Sequence, residues 1–205
     1  MSQSQAHMKR AWLTAVGGVG ALVLLVLLGS IVLIARQSRS SSVQAPFTKE
    51  IPNVALIDDR GAPFSFLQLT GTPYALFFGY THCPDTCPIT LAKLERAKAS
   101  LPGDGSSESR IVFVTVDPPR DTPRVLHRYV AQFGSGVIGV TGRPASLREL
   151  YKALGIWSVR IGRGPNYEMG HTATIFFVDG SGRVRSLHDW AETPAEFTKA
   201  FEEME

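Results

Sequence analysis

Cys83 and Cys87 are the only cysteines in the 205 residues, and they stand in Tyr80-Thr81-His82-Cys83-Pro84-Asp85-Thr86-Cys87-Pro88. At positions i and i+4, two side chains face the same way from one helical turn or from the loop entering it. Their Cα atoms then lie about 6 Å apart, within the reach of a disulfide. A helix amino-terminus beside them supplies partial positive charge and lowers thiol pKa. Thiolate is both a soft-metal ligand and a redox nucleophile, so the pair can hold an ion or trade electrons as dithiol and disulfide. A purely structural disulfide fits poorly, because closing so short a loop removes only about 2 kcal/mol of unfolded-chain entropy.

A third candidate is His171, in Glu168-Met169-Gly170-His171-Thr172, just ahead of an apolar run. Alone, a histidine there reads as a turn residue. Joined to two thiolates it completes a soft three-donor set that suits copper, Cu(I) above all. A structural zinc site takes four protein ligands. His82 adjoins Cys83 and competes for the same ion, although adjacent residues rarely both point inward. His127, on an expected helix, and His188 read as surface or packing residues. Met169 is either a weak axial ligand or filler.

The elements that must position these groups follow from apolar patterning. Residues 54–57 and 63–69 predict a small hairpin around Asp58-Asp59-Arg60-Gly61. The continuous apolar run 74–78 predicts a strand buried on both faces, and 111–116, apolar but for Thr115, a second buried strand. Residues 89–100 predict a helix with Pro88 in its first turn, and 102–109 a loop. Thr122 and Pro123 open the next helix, with Val125, Leu126, Tyr129, Val130 and Phe133 at helical spacing. Ser146 and Glu149 predict a capping box for a helix stopped by Gly155. Residues 174–178 and 184–187 predict a hairpin across Asp179-Gly180-Ser181-Gly182, and Thr193, Pro194 and Glu196 cap a last helix. The order gives an α/β class, a mixed sheet flanked by helices.

Residues 11–35 carry no charge and are rich in Leu, Val, Ile, Ala and Gly. About 20 such residues cross a bilayer as a helix, whereas the apolar core of a cleaved signal peptide runs to only about 7–15. The expected organisation is a cytoplasmic amino-terminus over residues 1–10, a transmembrane helix over 11–35, a Ser-rich flexible linker over 36–50 and a folded domain over 51–205. Lys9 and Arg10 precede the apolar segment and Arg36 and Arg39 follow it, so charge alone barely orients it. So short a leader favours an amino-terminus-in insertion and leaves no room for an Arg-rich transit peptide. That points to a bacterial inner membrane with the domain in the periplasm. Five of the 21 basic residues and none of the 18 acidic ones precede residue 50, leaving a net charge of −2 on the remainder. The basic balance belongs to the membrane flank, and nothing marks the domain as a nucleic-acid binder.

Four stretches together resemble the Sco/SenC family. They are Phe77-Phe78-Gly79-Tyr80-Thr81-His82-Cys83-Pro84-Asp85-Thr86-Cys87-Pro88, Val116-Asp117-Pro118-Pro119-Arg120-Asp121-Thr122-Pro123, Val140-Thr141-Gly142, and Tyr167 through His171. The likeness runs over about residues 52–190. It implies a membrane-anchored, thioredoxin-like protein that binds one copper ion per chain and serves the binuclear copper centre of cytochrome c oxidase subunit II. It implies Cys83, Cys87 and His171 as copper ligands, with Asp117 near them, and a Cys83–Cys87 disulfide when oxidised. The chain departs from the family pattern at Gly170, where Asp is usual, at Pro119, where Glu is usual, and at residues 51–53, which lack a Gly-x-Phe opening.

The same residues admit an enzyme. A thiol-disulfide reductase would attack through the more exposed Cys83, resolve with Cys87, keep a partner's cysteines reduced, and need no His171. The Cys-x-x-x-Cys spacing differs from the Cys-x-x-Cys of dedicated thioredoxins. A peroxidase has less support, since no Arg and hydroxyl accompany a single activated thiol by spacing.

Overall fold

Two hydrophobic strands lie side by side at the centre of the computed structural model, which describes residues 49–103 and 109–204. They are β3 (Tyr74–Gly79) and β4 (Arg110–Thr115), parallel, with Tyr74 opposite Arg110 and Gly79 opposite Thr115. All of β3 and all but the first residue of β4 are buried. Strands this apolar need cover on both faces, as the runs predict.

Around this pair the sheet grows in both directions. β5 (Val137–Thr141) runs parallel to β4, while β8 (Ile175–Val178) runs antiparallel to β3 and is followed by β9 (Val184–His188). β1 (Leu56–Asp58) pairs antiparallel with β5, and β2 (Pro63–Phe64) with β1, giving the order β2-β1-β5-β4-β3-β8-β9. Parallel neighbours require crossovers. α1 (Thr86–Ala99) links β3 to β4, and α2 (Pro123–Val130) links β4 to β5. α3 (Pro144–Leu154) follows β5, and α4 (Pro194–Glu202) closes the chain and packs on α1. The expected mixed, thioredoxin-like sheet with helices is therefore present, with four α-helices among the described residues.

Several boundaries differ from expectation for local reasons. α1 begins three residues early, because the Asp85 side chain accepts from the Thr86 N–H. Cys87 thus belongs to the first helical turn with Pro88, whose missing N–H costs nothing there. The expected strand over 63–69 is only two residues long; Ser65 then caps a 3-10 turn at Phe66–Leu69 through the Leu67 N–H (3.2 Å). Phe133 falls beyond the end of α2. The Ser146–Glu149 capping box does not form: α3 starts at Pro144 after Arg143, without a side-chain cap, on proline's preset φ. Gly155 does stop α3, at φ 73°. The Thr193–Glu196 box on α4 forms as read.

Three strands were not anticipated. β5 is interrupted in sequence by Gly139, where a Cβ would meet Asp59, Leu126 and Val130 at 3.1–3.2 Å, so the glycine lets α2 lie on the sheet. β6 (Ser158–Ile161) and β7 (Glu168–His171) form a separate two-stranded antiparallel hairpin whose charged residues mask its alternation. The apolar segment 11–35 and the linker up to residue 48 lie outside the described residues, as do 104–108 of the expected loop. Among the described residues no helix is long and apolar enough to cross a membrane.

Candidate metal centre

β3 ends at Gly79, and the chain turns through Tyr80 to the cysteines. The Cys83 N–H donates to the Tyr80 carbonyl at 3.2 Å. A Cβ on Gly79 would stand 2.6 Å from Phe113 Cε2 and 2.8 Å from Cys87 Sγ, so only glycine lets the second sulfur seat this low. Cys87 is fully buried, Cys83 is half-buried, and both are free thiols. The Cys87 N–H donates to Cys83 Sγ at 3.4 Å, which places that sulfur at the otherwise unpaired first turn of α1.

This arrangement makes the two sulfurs unlike. Donation from the Cys87 thiol, with help from the Cys87 and Asp85 backbone N–H groups, holds the Cys83 pKa down to about 6 despite partial burial. The same hydrogen bond, together with burial and the charge on Cys83, pushes the Cys87 pKa far above the ordinary thiol value. Near neutral pH the pair is one half-buried thiolate and one fully buried thiol. Iodoacetamide should therefore modify Cys83 in the reduced, metal-free protein with a rate rising through a midpoint near pH 6. Cys87 should stay unlabelled until the protein is denatured. Equal labelling of both, followed by peptide mass spectrometry, would contradict the assignment.

His171 ends β7 opposite Ser158 and closes the third side. Its Nε2 lies 3.9 Å from Cys87 Sγ. Its Nδ1 is 2.9 Å from the Thr172 carbonyl, which can only accept, so Nδ1 carries the proton and Nε2 presents its lone pair to the sulfurs. The Tyr80 ring meets the imidazole edge-on at 5.9 Å and fixes its tilt. A metal bonded at about 2.0 Å to nitrogen and about 2.3 Å to sulfur fits between atoms this far apart. No three His, Cys, Asp or Glu side chains among the described residues already stand in a closed ligand arrangement. The donors are two sulfurs and one imidazole nitrogen at the rim of the domain. Their softness and number match a three-coordinate copper site.

Asp117 makes its side-chain contacts away from the three candidate ligands. Its carboxylate is buried and faces Arg120 Nε and the Tyr167 hydroxyl (2.6 Å), with neither a cysteine nor His171 among its hydrogen-bond partners. Arg120 in turn donates to the Tyr167 carbonyl (2.9 Å) and the Pro165 carbonyl (3.3 Å), and its guanidinium lies 3.6 Å from the Tyr167 ring centroid. Asp117 thus acts through a latch that holds the β6–β7 hairpin, and with it His171, over the cysteines.

Beneath the cysteine loop lies a residue to which sequence reasoning gave no role. Asp121 is fully buried and accepts from the Thr81 N–H (3.1 Å), the Thr81 hydroxyl (2.6 Å) and the Thr115 hydroxyl (2.6 Å). It joins the cysteine loop to the end of β4. The signal was an acid recurring four residues after Asp117 in a loop with little exposed surface.

The other histidines stay out of the centre. His82 is exposed, with Nδ1 3.1 Å from the Thr81 hydroxyl and 3.9 Å from Asp121. His127, on α2, pairs with Asp59 in the turn after β1 at 2.6 Å. His188 bonds Glu192 (2.6 Å) and packs on Phe177. Met169 shares the His171 face of β7 and is partly buried against the core. Gly170 points the other way: a Cβ there would meet Ile161 at 3.0 Å and Trp157 at 3.2 Å. The absent acidic side chain would therefore lie on the far side of the strand from the sulfurs.

Known proteins of similar sequence and fold point to one family. The SCO1/SenC family profile matches residues 41–204. A protein of Stutzerimonas stutzeri named for copper binding is 37% identical over 141 residues, covering 68% of this chain and 69% of its own length. An SCO2-like protein of Rickettsia felis is 32% identical over 131 residues, covering 62% of this chain and 63% of its own length. Among solved structures, copper-bound ScoI of Bradyrhizobium japonicum superposes with a TM-score of 0.68 at 30% identity, over 75% of this chain and 98% of that one. Apo Sco1 of Thermus thermophilus gives 0.69 at 34% identity, over 78% and 93%. The profile spans most of the chain and contains both cysteines, the latch and the histidine: this chain belongs to the SCO1/SenC family.

Proposed function

We propose that this chain is a copper metallochaperone, holding one copper ion through Cys83, Cys87 and His171 and delivering it to the binuclear copper centre of cytochrome c oxidase subunit II. The observation that carries the reading is the approach of His171 Nε2 to Cys87 Sγ, 84 positions apart in sequence, with the lone pair freed by the Thr172 carbonyl. Copper-bound structures of similar proteins support the choice of ion. Copper is cargo here. Binding displaces the thiol proton of Cys87, and release follows as the recipient's sulfur or imidazole groups replace these donors in turn. The half-exposed Cys83 is where such an exchange can begin. Residues 11–35 anchor the domain to a bacterial inner membrane through the 36–50 linker, with the domain in the periplasm.

The test is anaerobic titration of the reduced full chain with Cu(I) against a competing chelator. One copper per chain is expected. Outer-shell replacements in metal sites cost about 10–100-fold in affinity, so loss of a ligand in His171→Ala should cost at least about 100-fold. Undiminished affinity in that variant overturns the ligand set.

The unlike sulfurs favour one further reading, a thiol-disulfide reductase in which Cys83 attacks and Cys87 resolves. Oxidase assembly in a deletion strain separates the two. Full rescue by the His171→Ala chain supports the reductase; failure that added copper corrects supports delivery.

A further inference from the structure

Strand residues alternate sides, so the β6–β7 hairpin has two unlike faces. His171 and Met169 lie on the face turned to the cysteines. On the other face Trp157, Val159 and Ile161 follow one another at every second position, 59%, 41% and 53% exposed. Val159 is opposite Gly170 and Ile161 opposite Glu168. The missing side chain at Gly170 lets the Trp157 indole and Ile161 close across the neighbouring strand, as the 3.2 Å and 3.0 Å clearances show. The result is one continuous apolar stripe. Exposed Glu168 stands beside Ile161 on this face, and exposed Arg163 lies in the turn. Arg160 alternates to the opposite face with Met169, donating to the Gly164 carbonyl (2.7 Å) and lying 3.8 Å from the Tyr167 ring centroid.

A stripe this small suits few occupants. A stable protein interface buries at least about 1,000 Å² with matched shape, far more than three side chains on one short strand provide. A bilayer interface needs no matched surface. It takes tryptophan at headgroup depth, accepts a few aliphatic side chains below it, and draws arginine to anionic headgroups. The chain also brings its own bilayer, on the reading of residues 11–35 given above. The intervening residues 36–48 extend to at most about 43 Å. A contact too weak to recruit a free domain is effective when tethering holds the surface at high local concentration.

We propose that the outer face of the β6–β7 hairpin, formed by Trp157, Val159 and Ile161 with Arg163 in the turn, docks on the headgroup region of the membrane that anchors the chain. The inference rests on the membrane-span reading, and its test separates the two. The chain has three tryptophans, Trp12, Trp157 and Trp190. Three full-length forms, each keeping one tryptophan and carrying phenylalanine at the others, are reconstituted in phosphatidylcholine and phosphatidylglycerol vesicles containing brominated lipid. Trp12 reports the span and Trp157 the hairpin. Trp190, 38% exposed with the Lys93 ammonium 5.9 Å from its ring centroid, is the control away from the stripe.

Emission from Trp12 and Trp157 should be quenched, while Trp190 stays bright. Val159→Asp should relieve quenching at Trp157 with the far-UV circular dichroism unchanged. An unquenched Trp157 beside a quenched Trp12 overturns the docking and leaves the span standing. Three further results also overturn the docking: quenching indifferent to Val159→Asp, equal quenching at Trp190, or protection of Trp157 only when a recipient protein is added. Quenching at Trp157 without quenching at Trp12 keeps the docking and removes the span.

Discussion

Phe113→Ala should lower the stability of the domain by about 3–5 kcal/mol, the range for emptying a buried aromatic site. The ring is fully buried on β4, with its centroid 6.1 Å from that of Phe77 and 5.4 Å from that of Tyr129. Its edge occupies the space a Cβ on Gly79 would need, directly beside Cys87 Sγ. The neighbours are strand backbone and other large rings, so little can collapse inward. Domains of this size have about 5–15 kcal/mol in total, so much of the stability goes with one side chain. Urea unfolding of the reduced protein measures the loss. Phe113→Leu keeps most of the volume and should cost less than half as much. Equal midpoints for wild type and Phe113→Ala would remove the ring from the core.

Asp121→Ala should cost at least about 3 kcal/mol, because a buried network loses the acceptor that joins its parts. Three donors converge on that carboxylate: the Thr81 N–H and the hydroxyls of Thr81 and Thr115. Asp121→Asn is the informative partner. One amide oxygen can still accept from Thr81 N–H and Thr115, and the Thr81 hydroxyl can turn to accept from the amide, so the cost should stay within about 1 kcal/mol at pH 7. Burial outweighs the hydrogen bonds and holds the Asp121 carboxyl above its ordinary value of 3.8. Folding therefore favours the protonated acid. That contribution is complete below the ordinary value and is lost as pH rises through the raised one. The stability gap between wild type and Asp121→Asn should narrow between pH 4 and pH 7. A gap that widens over that interval would mean the carboxylate is the favoured form.

The sheet was legible where patterning was strong. Residues 74–78 are apolar without interruption and 111–116 but for Thr115, and the strands they form are buried except at Arg110. The capped helices after Thr122 and Thr193 begin where side-chain oxygen and proline together predict them. The cysteines announced themselves by type and spacing, and His171 by its place ahead of a strand. What could not be read was whatever depends on contacts between distant segments. Gly139 makes β5 look like a broken loop until Leu126 and Val130 are seen against it. Asp117 and Asp121 look alike in sequence, yet one grips the hairpin through Arg120 and the other supports the cysteine loop. Arg160 and Glu168 hide a hairpin whose apolar residues face away from the core. Ser146 and Glu149 carried the letters of a cap without the geometry, since Pro144 had already started the helix.

The sheet's outermost strands have a consequence of their own. Seven strands in one sheet ordinarily leave two long rows of unsatisfied peptide groups that could recruit a neighbouring copy. β2 offers two residues, the first of them Pro63, which has no N–H to give. The start of the β9 margin is covered by the bridge between Glu50 and Arg183 and by the Val184 N–H, which donates to the Lys49 carbonyl at 3.1 Å. The few residues that lead into the domain thus double as a selvedge. A chain trimmed past Glu50 would keep its core and its sulfurs but free the Val184 N–H and lengthen the open margin by its first rung.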